Sequence, residues 1–357
     1  MRKIKWLFVV GMLVTIELVG CDNKETTSKV TENAESYSEE TATRIEIDET
    51  MDEDTIKYEG VSKLVISTSY EADGDILSII EDGYDEDGNW VMDMYSLEDG
   101  SILDYNRREY DENGNKIKSI DFASDKTIDY FHIFQNDEQG NFIKVQKFGA
   151  DEEPAEYYEC VYDELGNKVR VTQYTAEAVI DFYYVYEYDA QNNLIKETRY
   201  EADDKIKHYI IYEYDKNNNK IKNTSYDGQG VMTSFDIREY DENNNNIVWE
   251  TYEENGELSR REEKLYNENG KMISNKVYAP EKGYYIIEGF EYDDNGSLVN
   301  KLDYDQDGDI TYSVIYEYDT EGNLSKETHC YYYDPDICGE GVYEIDMYVL
   351  YEYKILK

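Results

Sequence analysis

Residues 188–214 read YDAQNNLIKETRYEADDKIKHYIIYEY. Two turn phrases sit in this stretch, one opening at Tyr188 and one twelve residues later at Tyr200, and the next first phrase opens at Tyr214. Between them lie LIKETRY and HYIIYEY, dense in Tyr, Ile and Thr, the residue types that fit a pleated, half-buried surface. Runs this short, with turn signals at both ends, predict strands and exclude helices.

The first phrase, Tyr-Asp-x-x-Gly/Asn-Asn-x-Ile/Val, recurs along most of the chain. Its leading position falls at Tyr84, Tyr110, Asn136, Tyr162, Tyr188, Tyr214, Tyr240, Tyr266, Tyr292 and Tyr318, always 26 residues apart, with a degraded unit at Tyr58. The second phrase follows at offset twelve, as in YEADGDI from Tyr70, YEENGEL from Tyr252 and YDQDGDI from Tyr304. Gly or Asn as the fourth loop residue suits a type I turn closed by a left-handed residue, a bulged three-residue hairpin loop. Two turns per period give two strands per unit. The fold class predicted is therefore all-β: tandem antiparallel hairpins in one long coiled sheet of roughly twenty strands, first turns along one edge and second turns along the other.

Simple alternation across three-residue loops places Tyr186, Tyr188, Tyr200 and Ile206 on one face. Val185, Glu187 and Ile195 fall on the other. Both faces are then partly apolar, so the sheet must twist and coil into a spiral or shell.

Outside the array the sequence changes character. Arg2, Lys3 and Lys5 precede an apolar run that ends Leu18-Val19-Gly20-Cys21. The charge pattern, the length of the run and the small residue before the cysteine predict a signal peptide over residues 1–20 with a diacylglyceryl group on Cys21. It resembles the lipobox of bacterial lipoproteins, which implies an extracytoplasmic protein anchored to the membrane by its lipid. Residues 21–56 are acidic and rich in Thr, Ser and Glu, without lasting periodicity, and are expected to form a disordered tether. The repeat array is assigned to residues 57–329, and residues 330–357 to strands that cap its last edge.

The 357-residue chain carries 82 Asp and Glu against 35 Lys and Arg, a net charge of −47. Nucleic acid is excluded as a partner on that ground. Only 3 Pro interrupt the chain, and 39 residues are Tyr, so a folded, amphipathic body is expected despite the acidity.

The Tyr-Asp pairs, the turn Gly and the Ile or Leu that follows resemble the YD or Rhs repeats of bacterial surface and secreted proteins, over residues 58–328. The resemblance implies a coiled β-sheet shell and a role in adhesion, carbohydrate binding or toxin encapsulation. Eleven units are too few for a closed cocoon, and no toxin-like domain follows the last unit, which argues against encapsulation.

Residues able to do chemistry are few and scattered. His132, His208 and His329 occupy different phases of the repeat, and no nucleophile elbow, phosphate loop or metal-binding His motif occurs. The chain is expected not to be an enzyme. Asp303, Asp305, Asp307 and Asp309 match the start of an EF-hand loop, but its twelfth position is Val314, where a bidentate Glu is required. The repeat phase already explains the segment as a hairpin turn. No cofactor is expected, although calcium along the acidic turn edges is permitted. A basic column, Lys118, Lys144, Arg170, Lys196, Lys222 and Lys326, recurs at offset eight. Its stems are expected to cover Tyr rings while the charged heads stay hydrated, in preference to lining a sugar-stacking groove. Cys330 and Cys338 are a candidate disulfide closing the last hairpin. Cys160 takes a Tyr or Phe site and is expected to be packed.

The function expected is a surface module that binds a glycan or protein ligand, or serves as a scaffold, through Tyr186, Tyr188, Tyr200, Tyr212, Tyr214 and Tyr226. A purely structural spacer and a calcium-dependent assembly module are the competing readings.

Overall fold

A computed structural model describes residues 58–280, 283–332 and 343–356. Cys21, the tether and Cys338 lie outside the described residues. Within them the chain is all-β, as the repeat predicts: 22 antiparallel strands, each paired with its neighbours in sequence. Residues 180–227 show the pattern, with β10 (Ile180–Tyr188), β11 (Leu194–Glu201), β12 (Ile206–Tyr214) and β13 (Lys220–Asp227) joined by alternating first and second turns.

Nearly every described turn is built as its phrase implies. In the first turn after Tyr214, the Asp215 amide donates to the Asn219 carbonyl at 2.9 Å and the Asn218 amide to the Asp215 carbonyl at 3.1 Å. Asn218 closes the loop at φ 64°. Most units use Gly there, but Asn192, Asn218 and Asn244 adopt the same left-handed conformation in consecutive units. Asn tolerates it better than other side chains. The substitution also adds a ladder along the rim: Asn193 donates to Asn218 at 3.1 Å and Asn219 to Asn244 at 2.9 Å.

Three second turns are less well suited. Lys126, Glu152 and Ala178 sit at φ 69°, 64° and 58°, where a Cβ crowds the following carbonyl. Changing each to Gly relieves that strain at the cost of a more flexible unfolded chain. Lys126→Gly, Glu152→Gly and Ala178→Gly should each stabilise the fold by about 0.5–1 kcal/mol, read as a higher urea midpoint at unchanged slope.

Two features depart from expectation. Beyond each loop, the first strand residue pairs and the second is skipped. Tyr188 faces Leu194 but Glu187 faces Lys196, which leaves Ile195 as a bulge, and Tyr200 faces Ile206 while Arg199 faces His208. This additional bulge recurs at nearly every hairpin and reverses the alternation of everything after it. Tyr200 and Ile206 therefore lie on the face of Val185 and Glu187, opposite Tyr186 and Tyr188. The assignment of Tyr186, Tyr188, Tyr200 and Ile206 to a single face is corrected accordingly.

Second, the sheet closes. β22 (Tyr343–Ile355) pairs with β21 (Leu324–Tyr332) on one side and with β1 (Lys63–Glu71) on the other. The last strand joins the two ends of the array instead of covering one open edge, and eleven units suffice for closure. Every bulge adds local twist and bend, and the bends accumulate until the first and last strands meet.

Beside the closure, Val61 folds over Leu64, Met92 and Met94 to make a small apolar cluster, and Gly83 is the residue that admits it. A Cβ on Gly83 would lie 2.9 Å from a Val61 methyl.

Candidate functional site

The most repeated residues of the chain are used to hold it together. From Tyr110 onward the anchor Tyr hydroxyls reach across to the neighbouring strand and donate to the carbonyl of the residue that opens the bulge, 20 positions back. Tyr110 bonds Trp90 at 3.0 Å, Tyr162 bonds Phe142 at 3.1 Å, Tyr214 bonds Leu194 at 2.9 Å, and Tyr240 bonds Lys220 at 2.9 Å. Tyr266, Tyr292 and Tyr318 continue the series at 3.1, 2.8 and 2.8 Å. Where the anchor is Asn136, its side-chain amide makes the same bond to Lys116 at 3.1 Å. The Asp after each anchor is equally occupied. Asp241 Oδ1 accepts the Asn243 and Asn245 amides at 2.9 and 2.8 Å, and its Oδ2 accepts the Asn245 side chain at 2.9 Å. The Tyr is thus a clasp between adjacent units and the Asp a brace within its own turn.

The two faces of the closed sheet differ. On the outward face, aromatic residues pair across the second hairpins as stacked rings, including Tyr157 on Tyr174, Tyr183 on Tyr200, Tyr209 on Tyr226 and Phe235 on Tyr252, with centroids 4.6–4.8 Å apart. Offset, near-parallel stacking suits the ring quadrupoles. Thr198, 1% exposed, lies beneath this tiling. The offset-eight column caps it: Arg170, Lys196 and Lys222 place their charges 4.0, 5.5 and 6.0 Å from the rings of Tyr183, Tyr209 and Phe235. Lys196, Lys222 and Lys326 also pair with Glu187, Glu213 and Glu317 at 3.1 Å. This is the ring-covering role expected of the column.

Side chains of the inward face converge, and burial dominates their chemistry. It pushes up the carboxyls of Asp82, Asp121, Glu197 and Asp303 and the phenols of Tyr186 and Tyr212. Burial together with Asp121 pushes the Tyr130 phenol up to about 12. Charged pairs punctuate the aromatics. Arg108 stacks on Trp90 at 3.7 Å while pairing with Asp93. Tyr312 lies 2.6 Å from His329 Nδ1, and Tyr351 donates to Glu327, which also faces His329 Nε2 at 3.4 Å. Ion pairs occupy mid-strand rows on both faces, the reverse of the apolar band a lipid-facing barrel wall presents.

Of the six candidate binding tyrosines, Tyr186, Tyr188, Tyr212 and Tyr214 face inward, with the hydroxyls of Tyr188 and Tyr214 already engaged. Tyr200 and Tyr226 face outward in stacked pairs. The structure does not bring the six together. Asp305 accepts the amides of Asp307, Gly308 and Asp309 at 2.9–3.0 Å, as a hairpin residue does. Asp303 lies on the preceding strand, 3.8 Å from the Lys301 ammonium. Among the described residues no three His, Cys, Asp or Glu side chains are grouped to hold a metal. Cys160 and Cys330 are buried, and burial raises both thiols. The three histidines face inward from separate strands. What sequence reasoning missed is an inward row of Lys220, Arg238, Trp249 and Arg260. These residues occupy different repeat offsets, so only the parity beyond each bulge could have collected them.

The electrostatics predict a stability profile with pH. Side-chain and backbone bonds from Asn115, Asn245 and Asn323 hold Asp111, Asp241 and Asp319 below the ordinary carboxylate value. Their contribution is present above the unfolded value near 3.8 and is lost as pH falls through the lower folded values. The inward Asp82, Asp121, Glu197 and Asp303 are raised, so they favour the fold as pH falls from neutrality toward the unfolded values of 3.8 and 4.5. Urea unfolding should show greatest stability in mild acid, between these windows, and a decline below about pH 3.8.

A family described as "Protein of unknown function (DUF2963)" matches residues 180–225. No curated protein matches the chain. Among solved structures it is similar to the TcdB2-TccC3 assembly, at 13% identity and a TM-score of 0.23 over 74% of this chain and 20% of that one. It is similar to a Photorhabdus luminescens Tc holotoxin pore at 14% identity and a TM-score of 0.22, over 74% and 19%. A porin-like protein from Bacteroides uniformis aligns at 7% identity and a TM-score of 0.27, over 82% and 98%. The chain thus spans about a fifth of the length of the first two.

Proposed function

We propose that this chain is a non-enzymatic scaffold of YD/Rhs-type repeats, held at the outer surface of a bacterial membrane by a lipid on Cys21. The observation that supports it is the clasp series: the repeated Tyr is consumed in joining units and the repeated Asp in bracing each turn, as a load-carrying wall requires. The barrel then displays its rims and outward face.

Two assays test the reading. Cys21→Ser should move the protein from the membrane fraction to the soluble fraction and abolish lipid labelling. A glycan array probed with the wild type and with Tyr186→Ala, Tyr200→Ala, Tyr212→Ala and Tyr226→Ala should show no tyrosine-dependent signal. A glycan signal that these changes remove without lowering the melting temperature would replace the scaffold with a lectin-like module.

A further inference from the structure

We propose that the inward wall formed by β13, β14 (Met232–Tyr240), β15 (Asn246–Glu253) and β16 (Leu258–Tyr266) holds a binding site for a multiply charged oxyanion, with Lys220, Arg238 and Arg260 as its cations and Trp249 as its floor. The strand registers place Arg238 directly across from Trp249, and Arg260 across from Thr251, two residues along the same face from Trp249. Both guanidiniums lie against the indole, at 4.9 and 4.8 Å from its centroid. Lys220 comes from the start of β13, with its ammonium 5.1 Å from the Tyr212 ring.

Three features mark the cluster as more than wall packing. First, it gathers cations on an acidic chain. On a protein of net charge −47, the inward positions of these four strands carry Lys220, Arg238, Arg260 and Lys264 against Asp227, Asp236, Glu253 and Glu262, an even balance with Asp227 and Glu253 at the strand ends. Second, the cations are incompletely compensated. Arg238 donates to Asn223 at 3.0 Å and meets Asp236 at 3.5 Å, and Arg260 and Lys264 share Glu262 at 3.2 and 3.3 Å. Lys220 has no carboxylate within ion-pair distance among the described residues. Its ammonium is disfavoured by burial and then by Arg238, and Asp236, beyond pairing distance, offsets this only in part. Third, the Nε1 of the half-buried Trp249 is shielded from solvent and has no acceptor, an uncommon state for a shielded donor.

Rim carboxylates do not fill this role. Asp215 and Asp241, in the nearest turns, accept their own turn amides and the side chains of Asn219 and Asn245. A phosphate, sulfate or polycarboxylate would give Lys220 a counter-charge. The planar guanidiniums of Arg238 and Arg260 suit such oxygens, and remain fixed while stacked on the indole. The site takes one compact anionic group inside the barrel. It does not require the acidic exterior to attract an extended polyanion.

The test is fluorescence of the full chain, with Trp249→Phe supplying the background from Trp6 and Trp90. Sodium phosphate, sulfate and citrate are titrated against chloride at matched ionic strength, and the three arms separate tetrahedral from carboxylate ligands. The expected result is a saturable, Trp249-dependent change with at least one oxyanion and not with chloride. Lys220→Met and Arg260→Met should each weaken it at least 10-fold, with strand content unchanged by circular dichroism, while Lys220→Arg stays within about 3-fold. An identical response to chloride, or wild-type titration by folded Lys220→Met, overturns the proposal. If neither Met variant folds, the wild-type comparison with chloride and the Lys220→Arg titration decide it.

Discussion

Removal of residues 343–357 is expected to make the chain self-associate through two newly exposed edges. β22 supplies the ladder to β21 and to β1, so its loss leaves two full-length edges with unpaired amides and carbonyls. It also removes the Tyr70–Tyr348 stack, the Tyr351–Glu327 bond and the buried Val349. Exposed flat edges recruit other strands, and here the two edges are complementary through the strand they have lost. Size-exclusion chromatography should show oligomers or aggregate. Hydrogen exchange should show lost protection in β1 and β21, with β10 to β13 still protected because repeat arrays depend on nearest neighbours. A peptide of residues 343–357 added in trans should restore the monomer by strand addition. A monodisperse truncated chain with unchanged protection would mean that the last strand is ornamental.

Replacing alternate anchors, Tyr162→Phe, Tyr214→Phe, Tyr266→Phe and Tyr318→Phe, removes four clasps and no ring. Each change deletes a hydroxyl bonded to a bulge carbonyl at 2.8–3.1 Å. One such bond contributes about 1 kcal/mol. Sites two units apart are separated by about four strand spacings, roughly 19 Å, so their effects should add. The quadruple variant should lose about 4 kcal/mol, a large share of the ~5–15 kcal/mol typical of a folded domain. Tyr200→Phe and Tyr226→Phe, whose rings stack but whose hydroxyls make no clasp, should change stability by less than about 0.5 kcal/mol. A quadruple variant as stable as Tyr200→Phe and Tyr226→Phe would show that the inter-unit bond does not hold the units together. Urea unfolding measures both.

Those variants also mark where sequence reading succeeds and stops. The turns were legible because their chemistry is local: Asp215 must sit ahead of a left-handed Asn218 whatever the rest of the chain does. The period followed from the turns, and the strands from the period. The bulge at Ile195 was not legible. It is defined by which residue of the partner strand is skipped, and Ile195 itself looks like any strand residue. One missed bulge reverses parity, which moved Tyr200 and Ile206 to the other face. Closure was hidden for a related reason, since it depends on the sum of small bends over many hairpins and no single unit contains it. The anchor tyrosines were recognised as an aligned row, but their hydroxyls point to a carbonyl 20 residues away, a relation visible only once neighbouring strands are in register. The inward cations escaped notice because Lys220, Arg238 and Arg260 share no offset in the repeat, while the outward Lys196 and Lys222 do.

Joining of the first strand to the last can be tested by cross-linking Thr68→Cys to Leu350→Cys, after Cys21, Cys160, Cys330 and Cys338 are replaced by Ser or Ala. The two positions face each other across β1 and β22, so their Cα atoms should stand about 4.5–5.5 Å apart. In a flat open sheet, 21 strand spacings would separate them by roughly 100 Å. Mild oxidation of the dilute monomer should give a near-quantitative intramolecular disulfide, located by mass spectrometry between the peptides that carry the two positions. Free thiols, or cross-links only between molecules, would show that the array stays open.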